Sequence, residues 1–366
     1  MKDVPLRKID HLRFFVGNAR QSAFFYRNAF GFDVVAYAGL ETKVRHEAGY
    51  VLRQGEITFV LTSPLGPDHP ESKRLLTHGD GVMDIALDVA NVKEAFENSV
   101  SNGATPVQVP QVLEDEFGIV EMASIHAYGD TTHTFVNRDR YKGVFAPGYK
   151  AIDPDRYNAK TAKPVGLAAI DHIVGNVEEG KMDEWVEFYR KVLGFNQLVS
   201  FDDKDISTEY SALMSKVVQN GTGRIKFPIN EPAKAKRKSQ IEEYLHYYGG
   251  PGVQHIAMIT GDIVKTVSAM RDNDVSFLRV PKSNYSVPRF SCSRSIASKS
   301  ALQFPLPKLF EPRRWITSKK SVGRSATGFV KICSMYPSSS LSTKMPKSAS
   351  VARSSLIGPM RVGKVS

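Results

Sequence analysis

Two short apolar runs, each interrupted by one histidine, set the pattern of the chain. They are Ala169-Ile170-Asp171-His172-Ile173-Val174 and, 83 residues on, Gly252-Val253-Gln254-His255-Ile256-Ala257-Met258. Period-two alternation predicts a strand for each and puts His172 on the face of Ile170 and Val174. The surroundings of His172 occur twice. Ile9-Asp10-His11, Phe25-Tyr26-Arg27 and Gly31-Phe32 return as Ile170-Asp171-His172, Phe188-Tyr189-Arg190 and Gly194-Phe195. Each copy predicts strand, amphipathic helix, glycine stop, strand. The expected apolar stripes are Phe24, Phe25 and Ala29 in one helix and Trp185, Phe188, Tyr189 and Val192 in the other. Gly31 and Gly194 stand where a left-handed helix C-cap is expected.

A second unit also recurs. Gly81-Val82-Met83-Asp84-Ile85-Ala86 runs on to Val109-Pro110, and Gly252 runs on to Val280-Pro281, 28 residues from Gly to Val both times. A repeat of this length is a duplication of a supersecondary unit. A polar linker near residues 147–165 divides the halves. His172 aligns with His11, whereas His255 aligns with Asp84, so the second half alone carries a histidine pair. Neutral imidazoles bind first-row metals, and two of them with one carboxylate favour Fe(II) and dioxygen chemistry. The alternative is two core histidines, each with its own hydrogen bond.

Charge changes the picture only in the tail. The net charge is +11, yet residues 275–366 hold 17 Lys and Arg against the single acid Glu311, which leaves residues 1–274 with 32 basic and 37 acidic side chains, or −5. That tail also holds 21 serines, a composition that resists a packed core. It reads as translation in a shifted frame. Two other readings are a basic extension that binds nucleic acid and a divergent strand with Glu311 as displaced ligand. With 42% hydrophobic residues elsewhere, a sizeable core is expected. Two cysteines, Cys292 and Cys333, exclude a disulfide framework or a cysteine-rich zinc site. There is no run of 18 apolar residues, and Met1-Lys2-Asp3-Val4-Pro5 has no secretion-signal core. The expectation is a cytoplasmic protein with neither membrane nor nucleic-acid partner.

Longer stretches carry a resemblance. These are Ala169 to Asn176 (AIDHIVGN), Ser207-Thr208-Glu209-Tyr210-Ser211, Pro228-Ile229-Asn230-Glu231-Pro232, Lys238-Ser239-Gln240-Ile241 and Gly249 to Ala257 (GGPGVQHIA). Through them residues 5–285 resemble the 4-hydroxyphenylpyruvate dioxygenase family of the vicinal-oxygen-chelate, or glyoxalase-like, group. The resemblance implies an α+β fold of duplicated βαβββ modules. Residues 1–150 would form an N-terminal domain of two modules without a metal site, and 151–285 a catalytic domain whose last module is incomplete. Residues 286–366 would be a disordered, non-matching tail. It further implies His172 and His255 as two of three Fe(2+) ligands, with Ser215, Asn230, Gln240 and Gln254 lining the substrate pocket.

The activity so implied converts 4-hydroxyphenylpyruvate and O2 to homogentisate and CO2 in tyrosine catabolism. The partners are a small 2-oxo acid and O2, with Fe(2+) as cofactor and a homo-oligomer built through the N-terminal half. Two alternatives stay open: a hydroxymandelate synthase-like enzyme, and a non-catalytic frameshifted product. The family's third ligand is a glutamate on the last strand of the fourth module. The count from His255 ends near Ser338, within Tyr336-Pro337-Ser338-Ser339-Ser340, where no acid stands.

Overall fold

Leu6–Phe15 forms a strand (β1) that buries Leu6, Leu12, Phe14 and Phe15, and Asn18, whose side chain accepts from the Gln21 amide, turns the chain into the helix Ala19–Phe30 (α1). Gly31, at φ 70°, ends that helix in the left-handed region, as Gly194 does for its counterpart. In a computed structural model, described for residues 4–153, 163–201, 207–208, 211–233, 239–277 and 328–333, the first half continues as Asp33–Ala38 (β2), Glu47–Gln54 (β3) and Ile57–Pro64 (β4). Then follow Ser72–His78 (α2), Gly81–Val89 (β5), Val92–Ser101 (α3), Pro106–Asp115 (β6), Gly118–His126 (β7), Thr132–Asn137 (β8) and the short Lys150–Ala151 (β9).

The second half runs Leu167–Asn176 (β10), Met182–Leu193 (α4), Asn196–Phe201 (β11), Ser207–Thr208 (β12), Ser211–Gln219 (β13) and Lys226–Pro232 (β14). Gln240–Tyr248 (α5), Gly252–Thr260 (β15), Ile263–Asp272 (α6) and Gly328–Cys333 (β16) complete it.

The duplication predicts matching sheets, and the strand orders agree. The first sheet is β6-β7-β8-β5-β1-β4-β3-β2-β9; the second is β11-β13-β14-β10-β15-β16, with β12 paired to β13. Three modules join their first and last strands in parallel: β1 with β4, β5 with β8 and β10 with β14. This is the mixed α+β architecture that the family resemblance implies. Residues 1–334 make one compact unit holding both sheets, and their helix-bearing faces share a core that runs from Leu12, Phe59 and Phe135 to Tyr189, Phe195 and Phe227. At about 25 cal/mol per Å² of apolar surface, such burial is the main term holding the sheets together.

Three expectations change. Phe24 is 63% exposed, and the buried stripe of α1 is Ala19, Ala23, Tyr26, Ala29 and Phe30, one step round the helix from the expected one. His172 does not share the face of Ile170: the register slips between them, and Ile170 and Ile173 both meet the shared core. Finally, β16 falls inside the segment expected to be a disordered tail. It pairs with β15 in antiparallel sense, in the slot that the first half fills with the parallel strand β8. The rest of that tail, with Cys292, Glu311 and Ser338, lies outside the described residues. Among the described residues no helix is long and apolar enough to cross a membrane.

Candidate metal centre

The slipped strand is what frees the histidine. In β10 the register shifts between Leu167 and Ala169, Ile170 and His172, and Val174 and Gly175; in β1 it shifts between Leu6 and Lys8, Ile9 and His11, and Arg13 and Phe14. Every bulge recurs 161 residues later. A bulge inserts one unpaired residue and re-aims its neighbours, so Ile170 and Ile173 reach the core while His172 turns to the opposite face. The register then pairs His172 with Ala257, two positions after His255, as it pairs His11 with Ala86, two positions after Asp84. His255 therefore takes the place that Asp84 holds in the first half.

The His172 and His255 rings meet edge to face, with centroids 5.7 Å apart and planes at 73°. His172 Nδ1 lies 2.7 Å from Asp171 Oδ2, and His255 Nδ1 lies 2.7 Å from Gln254 Oε1. Both partners are acceptors, so both Nδ1 atoms carry the proton and both lone pairs sit on Nε2. That tautomer is the one a metal-binding imidazole needs, with an outer hydrogen bond fixing the ring. Asp171 in turn accepts from Lys226 Nζ at 2.9 Å. Burial opposes its charge, but the hydrogen bonds from His172 and Lys226 outweigh burial and hold the carboxyl below its ordinary range.

Two candidate pocket residues are placed on the neighbouring strands. Ser215 on β13 pairs directly with Asn230 on β14, and both are buried. Asn230 lies beside Asn176 on β10 and donates to its Oδ1 at 3.3 Å. Gln254 is held against His255, whereas Gln240 is the first residue of α5, behind the Ser239 cap. The sequence reading missed Asp171, Lys226 and Asn176. Asp10 repeating before His11 was the signal for the first of them; Lys226 and Asn176 gave none.

Two imidazoles of this tautomer suit a first-row transition metal. The acid that would complete the set is absent from β16, whose residues are Gly-Phe-Val-Lys-Ile-Cys, with Cys333 across from His255 in register. Among the described residues no three His, Cys, Asp or Glu side chains gather around a metal position.

Residues 8–117 and 169–295 match the model of the Glyoxalase/Bleomycin resistance protein/Dioxygenase superfamily. A 4-hydroxyphenylpyruvate dioxygenase of Dictyostelium discoideum is 47% identical over 281 residues, covering 75% of this chain and 76% of that protein. The chain belongs to the 4-hydroxyphenylpyruvate dioxygenase family. A family member from Xenopus tropicalis is 46% identical over 281 residues, with 75% of this chain and 70% of its own length covered. Among solved structures, a mutant of 4-hydroxymandelate synthase from Streptomyces coelicolor superposes with a TM-score of 0.68 at 29% identity, covering 77% of this chain and 79% of that one. The family is one of metal-dependent dioxygenases, oxidoreductases built from this duplicated module. About a quarter of the chain stands outside the match with the dioxygenase relatives.

Proposed function

We propose that His172 and His255 hold one ferrous ion, and that the chain uses it to turn 4-hydroxyphenylpyruvate and O2 into homogentisate and CO2. The observation that carries this reading is the adjacent pair of rings, edge to face, each with Nδ1 committed to an acceptor. A ferrous ion there supplies a redox-active Lewis acid for the 2-oxo acid and dioxygen. The chain's own residues do the rest. Asp171, braced by Lys226, fixes the ring of His172, and Gln254 fixes that of His255. Ser215 and Asn230, paired across β13 and β14, offer neutral hydroxyl and amide groups that can orient a polar substrate without adding charge beside the cation. Gln240 is proposed as a further pocket residue carried by α5. Residues 1–150 form a domain without a metal site, residues 151–285 the catalytic one, and the whole a cytoplasmic homo-oligomer.

A second reading is favoured by β16, which brings no acid to the strand slot beside β15. On that reading the chain binds metal through two imidazoles and does not turn over. Purified full-length chain with Fe(II), 4-hydroxyphenylpyruvate and O2 separates the readings. Homogentisate supports the dioxygenase, and 4-hydroxymandelate supports the synthase-like alternative. Cobalt(II) binding without either product supports the inert chain, and absence of metal binding overturns the site itself.

A further inference from the structure

A row of polar side chains crosses the second sheet on the face of the two histidines. On β10 the alternation runs His172, Val174, Asn176, and Val174 is paired in register with His255. Just beyond, the register skips Gln254 of β15, so β10 keeps its alternation. Ile173 and Gly175 turn to the opposite face, where Ile173 meets the core and Gly175 makes room for Tyr128. Asn176 is paired with Asn230 of β14, and Asn230 with Ser215 of β13; residues paired in register share a face of the sheet. Asn176, Asn230 and Ser215 therefore stand side by side, one alternation step from the level of His255. On its other side Asn176 is paired with Gly252, against which α5 lies: a methyl group there would meet the Tyr248 ring at 2.4 Å and the Tyr244 hydroxyl at 2.7 Å. Tyr244 follows Gln240 by four residues and so shares its face of α5.

The amide of Asn176 is only half used. Its Oδ1 accepts from Asn230 Nδ2 at 3.3 Å, while its own Nδ2 is buried without a partner in a residue that is fully buried. An unsatisfied buried donor costs stability, and an apolar side chain of the same shape would avoid that cost. Packing therefore does not explain an asparagine here. What the bond does is orient Asn230. An amide has one donor end and one acceptor end, so with Nδ2 spent on Asn176, Asn230 has Oδ1 to offer. The backbone holds Asn230 in the same place, its carbonyl accepting from the Val177 amide at 2.9 Å. Ser215 can donate or accept, so the amide decides the polarity of the row.

We propose that Asn176 is a positioning residue that turns the Asn230 carbonyl oxygen toward the substrate, and so selects an aromatic 2-oxo acid whose ring carries a hydrogen-bond donor. The inference rests on Ser215 and Asn230 being pocket residues and adds to that reading which end of the amide meets the ring, and what holds it there.

Anaerobic calorimetry on the full chain, with and without Co(II), compares 4-hydroxyphenylpyruvate, 4-aminophenylpyruvate and phenylpyruvate. Both ring donors bind the wild type about tenfold more tightly than phenylpyruvate, the scale of one net hydrogen bond. Asn176→Leu, nearly isosteric, frees the Asn230 amide to turn and cuts the preference to about twofold or less. Asn176→Asp keeps it, because a carboxylate only accepts and holds Asn230 in the same sense; the three acids carry one charge alike, so the added charge cancels in the ratio. Asn176→Leu placed on Asn230→Leu changes the ratio no further, as expected of a residue that acts through another. A merely structural asparagine weakens all three acids equally in Asn176→Leu, and that result overturns the proposal. So does 4-aminophenylpyruvate binding the wild type no better than phenylpyruvate, since the amide would then present its donor end; this arm needs no variant and decides even where the variants do not fold. Failure of every acid to bind the wild type overturns the pocket itself, whereas binding without preference overturns the role of Asn176 alone.

Discussion

The two halves are built on the same strand, and they finish it differently. Asp10-His11 and Asp171-His172 sit after the same bulge, and each histidine rests its Nδ1 on the preceding aspartate, at 2.6 Å and 2.7 Å. Beyond that the first half closes on itself. Arg13, opposite Asp84 in register, donates to Thr62 and to Glu47 at 2.6 Å, and Asp84 accepts from Thr132 and Thr134. Phe145 covers the His11 ring edge-on at 5.2 Å, and Arg138 holds Asp10. The second half has Val174 where Arg13 stood and His255 where Asp84 stood. One half satisfies its polar groups with an internal cation; the other brings two imidazole rings together with centroids 5.7 Å apart, each with its Nδ1 held by an acceptor. The proposed metal site is what remains when a self-neutralising ion network is taken out of the same frame.

The largest expected effect tests that contrast directly. His172→Ala and His255→Ala each lower Co(II) affinity more than about 100-fold, beyond the range for losing an outer hydrogen bond, and His11→Ala leaves it unchanged. Anaerobic calorimetry on the three variants measures this. Comparable losses in all three would dissolve the distinction between the halves.

The finished half also buries a titratable group that the comparison makes use of. His133 on β8 is fully buried, its Nε2 2.8 Å from the Tyr189 hydroxyl of the second half and its ring stacked on Phe227. Burial pushes the imidazole down to about 4. The sign follows from linkage: the unfolded chain takes up a proton near pH 6.5 and the native ring does not, so stability is full above that pH and falls between about 6.5 and 4. The loss by pH 4 is about 3 kcal/mol. Denaturant midpoints across this window should fall in the wild type and stay flatter in His133→Gln; a flat wild-type profile refutes the prediction.

Packing gives a smaller effect at another repeated position. Phe14 of β1 corresponds to Gly175 of β10, both just past the third bulge. Phe14 fills its own half by packing on Tyr26 and Phe59, whereas Gly175 makes room for the ring of Tyr128. Gly175→Ala therefore overpacks a fully buried contact and costs about 1–3 kcal/mol. An unchanged melting temperature would show that Tyr128 can shift away.

These contrasts separate what a reader of the chain can see from what only pairing reveals. Duplication, helix caps at Gly31 and Gly194, and the coincidence of two histidines follow from residue type and spacing, because a left-handed cap selects glycine and a repeat is visible as spacing. The bulges left no such mark. Nothing in Ile-Asp-His-Ile distinguishes a slipped strand from a regular one, so strict alternation put His172 beside Ile170. The buried face of α1 was misjudged for a related reason: Phe24 is as apolar as Phe30, and only the sheet beneath decides which one it covers. Lys226 reaches Asp171 from 55 residues away, a separation that no local pattern reports.

The finest contrast is between the two aspartates. Asp10 is held by an arginine inside a closed network, and hydrogen bonds and charge from His11 and Arg138 overcome its burial to keep the carboxyl well below its usual range. Asp171 is held by a lysine and serves an imidazole that faces another. Asp171→Asn keeps an acceptor for His172 Nδ1 but removes the charge that makes that nitrogen's proton easy to hold and the ring more basic. The expected cost is about tenfold in Co(II) affinity, with His172 still bound. Asp10→Asn leaves metal affinity unchanged and instead lowers stability, because it strands part of the Arg138 guanidinium. If both substitutions shift stability alone, the aspartate beside His172 is a folding device in both halves and has no part in holding a metal.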